Sequence, residues 1–137
     1  MEEIIAIDTN VLVSFLARRQ EPGYRVVARA LSNESIYVSP TVLLETEWVL
    51  RSVYKGERAA VAITLREIVS LPNVTTESWV TTALEWALSA GLELADAMHL
   101  AGSGRADSFF TQDREFIRRA ESRGAYPPFY IPPADDI

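Results

Sequence analysis

Ile4–Ala17, IIAIDTNVLVSFLA, joins a four-residue apolar run to a helical stretch through Asp8-Thr9-Asn10. Ile4-Ile5-Ala6-Ile7 has the length and β-branched character of a short buried strand, and Val11 to Ala17 reads as a helix. Asp, Thr and Asn in series are good capping residues, so Asp8 is placed to open that helix. Further on, Ser108-Phe109-Phe110 leads through Thr111 and Asp113 into a second helix, Asp113 to Ser122. Both places run from a short apolar strand to an acid with a hydroxyl residue beside it, then to a helix. Two parallel strands that end alike would bring both acids to one edge of a sheet.

Between these two stretches short apolar runs alternate with helical ones. Helices are expected at Tyr24 to Leu31, about 41–54, about 58–69, Glu77 to Ala90 and Leu94 to Ala101. Ser39-Pro40 opens the second of these, and Lys55-Gly56 closes it. Val80, Ala83, Leu84, Ala87 and Leu88 form one apolar stripe, with Gly91 as its stop; Gly124 caps the last helix. Further strands are expected at Ile36 to Val38 and Asn73 to Thr75, and a final edge strand at Tyr126 to Ile131, where the prolines suit only an edge. This alternation implies an α/β fold with a mainly parallel sheet covered on both faces. In such sheets ligands bind beyond the carboxyl ends of the strands, where Asp8 falls. With 137 residues and no linker or repeat, one domain over residues 1–131 is expected, followed by a frayed tail at 132–137.

Bulk composition narrows the chemistry. There is no cysteine and one histidine, so disulfides, thiolate zinc sites and multi-histidine metal sites within the chain are excluded. The longest apolar runs are too short to span a bilayer, and no secretory leader is visible, so the expected location is the cytoplasm. The net charge of −6, from 19 acidic and 13 basic residues, argues against a broad basic nucleic-acid grip. It leaves room for carboxylates that cluster around divalent cations.

Four carboxylates are candidates for such a cluster. Asp8 and Asp113 end strands, although helix capping accounts for each locally. Glu45 has Val42, Trp48 and Val49 as its helix neighbours, which puts it on the shoulder of a buried face where an unpaired charge is costly. Glu47, by contrast, has Arg51 four residues on, the pattern of a solvated pair. Asp96 lies in the first turn of its helix, where it suits the helix dipole, and His99 three residues later reads as structural. Asp107 reads as a turn residue. Convergent carboxylates bind magnesium well, and in nucleases one or two such ions orient a water, lower its pKa and stabilise phosphoryl charge. The residues by themselves do not show that the four acids meet.

The segments DTNVLVSFL, VLLETEWVLR, LADAMHLAG and FFTQDREF, in this order and spacing, resemble the PIN-domain family, and within it the toxins of VapBC toxin–antitoxin systems. The resemblance covers nearly the whole chain. It implies a three-layer α/β/α sandwich and a magnesium- or manganese-dependent endoribonuclease. The family's metal-binding acids fall on Asp8, Glu45, Asp96 and Asp113, with Thr9 and Thr111 at supporting hydroxyl positions. It also implies a homodimer and a cognate antitoxin that blocks the site; in-line attack by a metal-bound water would leave a 5′-phosphate and a 3′-hydroxyl. Arg18, Arg19, Arg114 and Arg118 are candidates for contact with RNA phosphates, against the ordinary reading of Arg118-Arg119 as a solvated helix face.

Two other classes, and a variant of the first, compete. A haloacid-dehalogenase-type phosphotransferase also places an Asp after its first strand, but its second acid two residues later is Asn10 here, and no lysine motif follows. A non-catalytic interaction module would use the acids only as caps. A DNA nuclease of the same broad family would share the acidic residues.

Overall fold

The computed structural model describes residues 3–133, so the tail expected from residue 132 lies mostly outside the described residues. The chain forms two compact units, one up to Ser78 and one from Trp79. Among the described residues no helix is long and apolar enough to cross a membrane.

The first unit is a parallel α/β unit, as expected. Strands β1 (Ile4–Ala6), β2 (Ser35–Tyr37) and β3 (Val74–Thr75) form one sheet in the order β1-β2-β3. Both pairings are parallel, with Ile5 opposite Ile36 and Ile36 opposite Val74. Helices α1 (Thr9–Ala17) and α2 (Tyr24–Asn33) connect the first two strands; α3 (Pro40–Ser52) and α4 (Arg58–Val69) connect the second and third. Parallel neighbours need such helical crossovers, because a tight turn cannot return the chain to the same end of the sheet. Leu12 and Val13 of α1, Ile36 of β2, Leu43 of α3 and Leu65 of α4 are buried and make the core.

One expectation for this unit fails. The run Ile4–Ile7 reads as a buried strand, yet Ile4 is 62% exposed and Ile5 is exposed as well. β1 is an edge strand in this sheet, paired only with β2, so β-branched composition marks strand propensity here rather than burial.

The second unit contains α5 (Trp79–Ser89), α6 (Leu94–Ala101) and α7 (Arg114–Glu121). α5 packs on α6 through the expected stripe: Val80, Ala83, Leu84 and Ala87 are all buried, with Leu94, Ala97 and Leu100 from α6. Phe116 of α7 lies edge-to-face with Phe109 and Phe129, at ring separations of 6.0 and 5.5 Å. The strands expected at 108–110 and 126–131 shrink to a single parallel bridge between Phe109 and Phe129. The Phe109 amide donates to the Pro128 carbonyl and the Tyr130 amide to that of Phe109, both at 2.8 Å. Pro127, Pro128, Pro132 and Pro133 have no amide hydrogen to lengthen the ladder.

The end of α3 differs from the expected glycine stop. Lys55 takes the left-handed conformation, with φ 59°, and Gly56 is required for space instead. The Gly56 amide donates to the Leu50 carbonyl at 2.8 Å. A Cβ at Gly56 would stand 2.8 Å from Val61 Cγ2 and 3.0 Å from that same carbonyl oxygen. Gly56→Ala is therefore expected to destabilise the protein by about 1–3 kcal/mol, the usual cost of overpacking. Urea denaturation with an unchanged m-value and a lower midpoint would verify it; an unchanged midpoint would refute the crowding.

Candidate active site

Both strand-end aspartates are helix caps. Asp8 is extended, at φ −96° and ψ 175°, and its Oδ1 accepts a hydrogen bond from the Val11 amide at 3.0 Å. Asp113 repeats the arrangement in the second unit: its Oδ1 accepts from the Phe116 amide, also at 3.0 Å. Each bond satisfies one of the amides that a helix leaves open at its start. A cap occupies one carboxylate oxygen, Oδ1 in both cases, so capping and cation binding are compatible uses of the same side chain. Thr111 Oγ1 accepts from the Asp113 amide at 3.1 Å, which fixes this hydroxyl beside the acid. Thr9 is the half-buried first residue of α1.

Glu45 departs from the expected environment. It is exposed, and the buried acid on α3 is Glu47, at 7% exposure. The expectation for Glu47, a solvated pair with Arg51, captures the partner and misses the burial: Arg51 Nη1 donates to Glu47 Oε2 at 3.2 Å. Spacing shows which residues are neighbours along a helix, but only packing against α1 and α4 decides which stripe is covered. Trp48, counted as an apolar neighbour of Glu45, is itself 64% exposed.

In the second unit Asp96 and Asp113 line one open pocket of about 190 Å³, together with Gly91, Leu92, Glu93, Glu115, Phe116 and Arg119. Asp96 is half-buried in the first turn of α6. Burial is the main cause that holds its carboxyl above the ordinary range; the negative charge of Asp113 raises it further, His99 draws it back down, and Glu93 adds a small upward push. The only guanidinium in the lining is directed elsewhere: Arg119 Nε donates to Glu115 Oε1 and Nη1 to the Gly91 carbonyl, both at 2.9 Å. Arg118 also pairs with Glu115, which agrees with a solvated helix face for this side chain. Arg18 is engaged by Asn10 and by the Tyr54 hydroxyl, while Arg19 and Arg114 are exposed. His99 is exposed on α6.

Glu93 and Glu115 are absent from the candidates above, and Arg119 figures there only as part of a solvated helix face. Helical spacing carries the signal for two of them: Glu93 lies three residues before Asp96, and Arg119 four after Glu115. The lining carboxylates do not converge on a point. Among the described residues no three His, Asp or Glu side chains stand close enough together to hold a metal ion. Asp96 and Asp113 are nonetheless suited to one: both are hard oxygen donors of like charge, Asp96 half-buried and Asp113 exposed.

The sequence profile of the PIN domain family matches residues 5–122. The chain belongs to the PIN domain family. PIN domains are a nuclease-type fold and are generally metal-dependent. Among the described residues the PIN match takes in the three strands except Ile4, the seven helices and the four candidate acids. No curated protein and no solved structure is matched by the chain.

The environment of Asp96 leads to a pH prediction for the metal-free protein. Its carboxyl is raised in the folded state, so the fold binds the proton more tightly than the unfolded chain does. Stability from this group is greatest below the unfolded value and is lost as pH rises through the raised one. Asp96→Asn should therefore raise the melting temperature in EDTA at neutral pH, by about 1–3 °C for a domain of this size, with the advantage gone at acid pH. Calorimetric scans across this range decide it, and a variant less stable than wild type at neutral pH would contradict the assignment.

Proposed function

We propose that this PIN domain is an endoribonuclease dependent on magnesium or manganese, and the toxin of a toxin–antitoxin pair. Asp8, Glu45, Asp96 and Asp113 are its metal ligands, with Thr9 and Thr111 in support. The observation that carries this reading is the pocket of the second unit, which half-buried Asp96 and exposed Asp113 line together and where the lining Arg119 donates to Glu115 and the Gly91 carbonyl. Like charges so placed repel one another, and a divalent cation relieves that repulsion. An all-oxygen donor set favours magnesium or manganese over softer metals. RNA as substrate, a cytoplasmic setting, a homodimer and an antitoxin that covers the acids rest on the likeness of four segments to VapBC toxins.

When bound, the cation would supply Lewis-acid stabilisation of the phosphoryl oxygens and lower the pKa of the attacking water. The chain's own residues perform the positioning. The caps at Asp8 and Asp113 hold each carboxylate in one orientation, so little freedom is lost on binding. Thr111 is oriented by the amide it accepts and stands beside Asp113. Arg119 lines one wall of the pocket, held there by its Nε bond to Glu115 and its Nη1 bond to the Gly91 carbonyl. Arg114, exposed directly after Asp113, is placed to meet a phosphate.

The test is incubation of a total RNA pool with antitoxin-free protein, with magnesium, manganese or EDTA, beside Asp96→Asn. Discrete cuts that require the metal are expected. They should fall about a hundredfold or more in the variant, the order expected when several kcal/mol of charge stabilisation is removed. The variant is expected to be folded, so its loss cannot be assigned to unfolding. Equal cleavage by Asp96→Asn, or cleavage in EDTA, would overturn the assignment.

A further inference from the structure

Trp48 is the large side chain of α3 that the core leaves outside, at 64% exposure. It lies one helical turn beyond Glu45, which is also exposed, so the two share a helix face. Beside it is a pocket of about 430 Å³ lined by Glu47, Trp48, Arg51, Ser52, Gly56 and Arg58. Glu47 forms part of this pocket and is buried. A buried carboxylate is costly unless paired, and Arg51 supplies the pair across one helical turn. The same bond holds the Arg51 guanidinium in place. Ser52 Oγ donates to the Trp48 carbonyl at 2.6 Å, and Gly56 cannot carry a Cβ without displacing Val61, so the rim is fixed by backbone constraints as well. The result is an aromatic face next to guanidinium groups on a chain whose net charge is −6.

We propose that this pocket is a subsite for single-stranded RNA, in which Trp48 stacks a nucleobase and Arg51 and Arg58 hold the adjoining phosphate. Exposed aromatic faces beside basic side chains are the usual means of binding unpaired nucleic acid, because every base presents a π-face. Double-stranded RNA is disfavoured, since its bases are stacked on one another and out of reach. The subsite rests on the nuclease reading and makes it more specific: the substrate near Glu45 is an unpaired segment, such as a loop. A second copy of this chain is the competing occupant of Trp48. It would have to desolvate Arg51 and Arg58 at the contact without the phosphates that pair with them.

The test is the binding of a short fluorescein-labelled single-stranded RNA by full-length protein in EDTA, read as anisotropy, with light scattering for mass. Trp48→Ala is expected to weaken binding about tenfold, within the range for loss of one base stack, while Trp48→Phe retains most of it. Arg58→Ala should reduce the slope of log affinity against log salt by about one. Wild-type affinity in Trp48→Ala would overturn the subsite. So would weakened binding that appears only with a change from dimer to monomer, which would make Trp48 an interface residue. Cleavage assayed in parallel separates the two readings. Metal-dependent cleavage with RNA binding unaffected by Trp48→Ala removes the subsite alone; Trp48-dependent binding without cleavage in any metal removes the nuclease alone.

Discussion

A hydrogen bond from the third helical amide to an aspartate carboxylate fixes the acid at the head of α1 and again at the head of α7. In each case the chain leaves an extended segment, turns at the aspartate and enters a helix whose open amides need an acceptor. The turn therefore places a charged group where a parallel α/β protein presents its ligands, just beyond a strand end. One bond stabilises the helix start and holds the carboxylate in a single orientation. The cap and the proposed metal role thus fall on the same side chains, so replacement of Asp8 or Asp113 affects both unless fold and activity are read separately.

Like-charge repulsion is the second constraint. Asp96 is half-buried near Asp113, and its carboxyl is raised by burial first and by that neighbour second. A protein that required only stability would place an amide or an apolar side chain there. The pocket keeps a carboxyl there, and Arg119 on its wall donates to Glu115 and the Gly91 carbonyl. Such an arrangement is costly in the metal-free protein, and a bound divalent cation would relieve it and so couple metal binding to folding.

Much of the fold is legible from local signals, because those signals are local in origin. Ser39-Pro40 and Gly91 mark the ends of helices through capping and backbone geometry, and the stripe Val80, Ala83, Leu84, Ala87 is the face that α5 buries. The failures come from non-local facts. The composition of Ile4 and Ile5 cannot say that β1 lies at a sheet edge. Neighbours at helical spacing cannot say that Glu47, not Glu45, is the covered acid on α3. The last two strands reduce to one bridge because prolines remove donors, a signal that was visible at Tyr126–Ile131 and weaker in effect than the structure requires. Of the four acids named from the sequence, Asp96 and Asp113 line one pocket, and the rest of its lining emerges only in three dimensions.

We propose that Asp8 and Asp96 each serve a divalent cation, a role open to direct measurement. The most direct measurement is manganese binding followed by electron paramagnetic resonance, on wild type, Asp8→Asn and Asp96→Asn, each first verified as folded. The account predicts specific uptake by wild type and at least a tenfold loss of affinity in each variant. Manganese binding undiminished in either variant would contradict it.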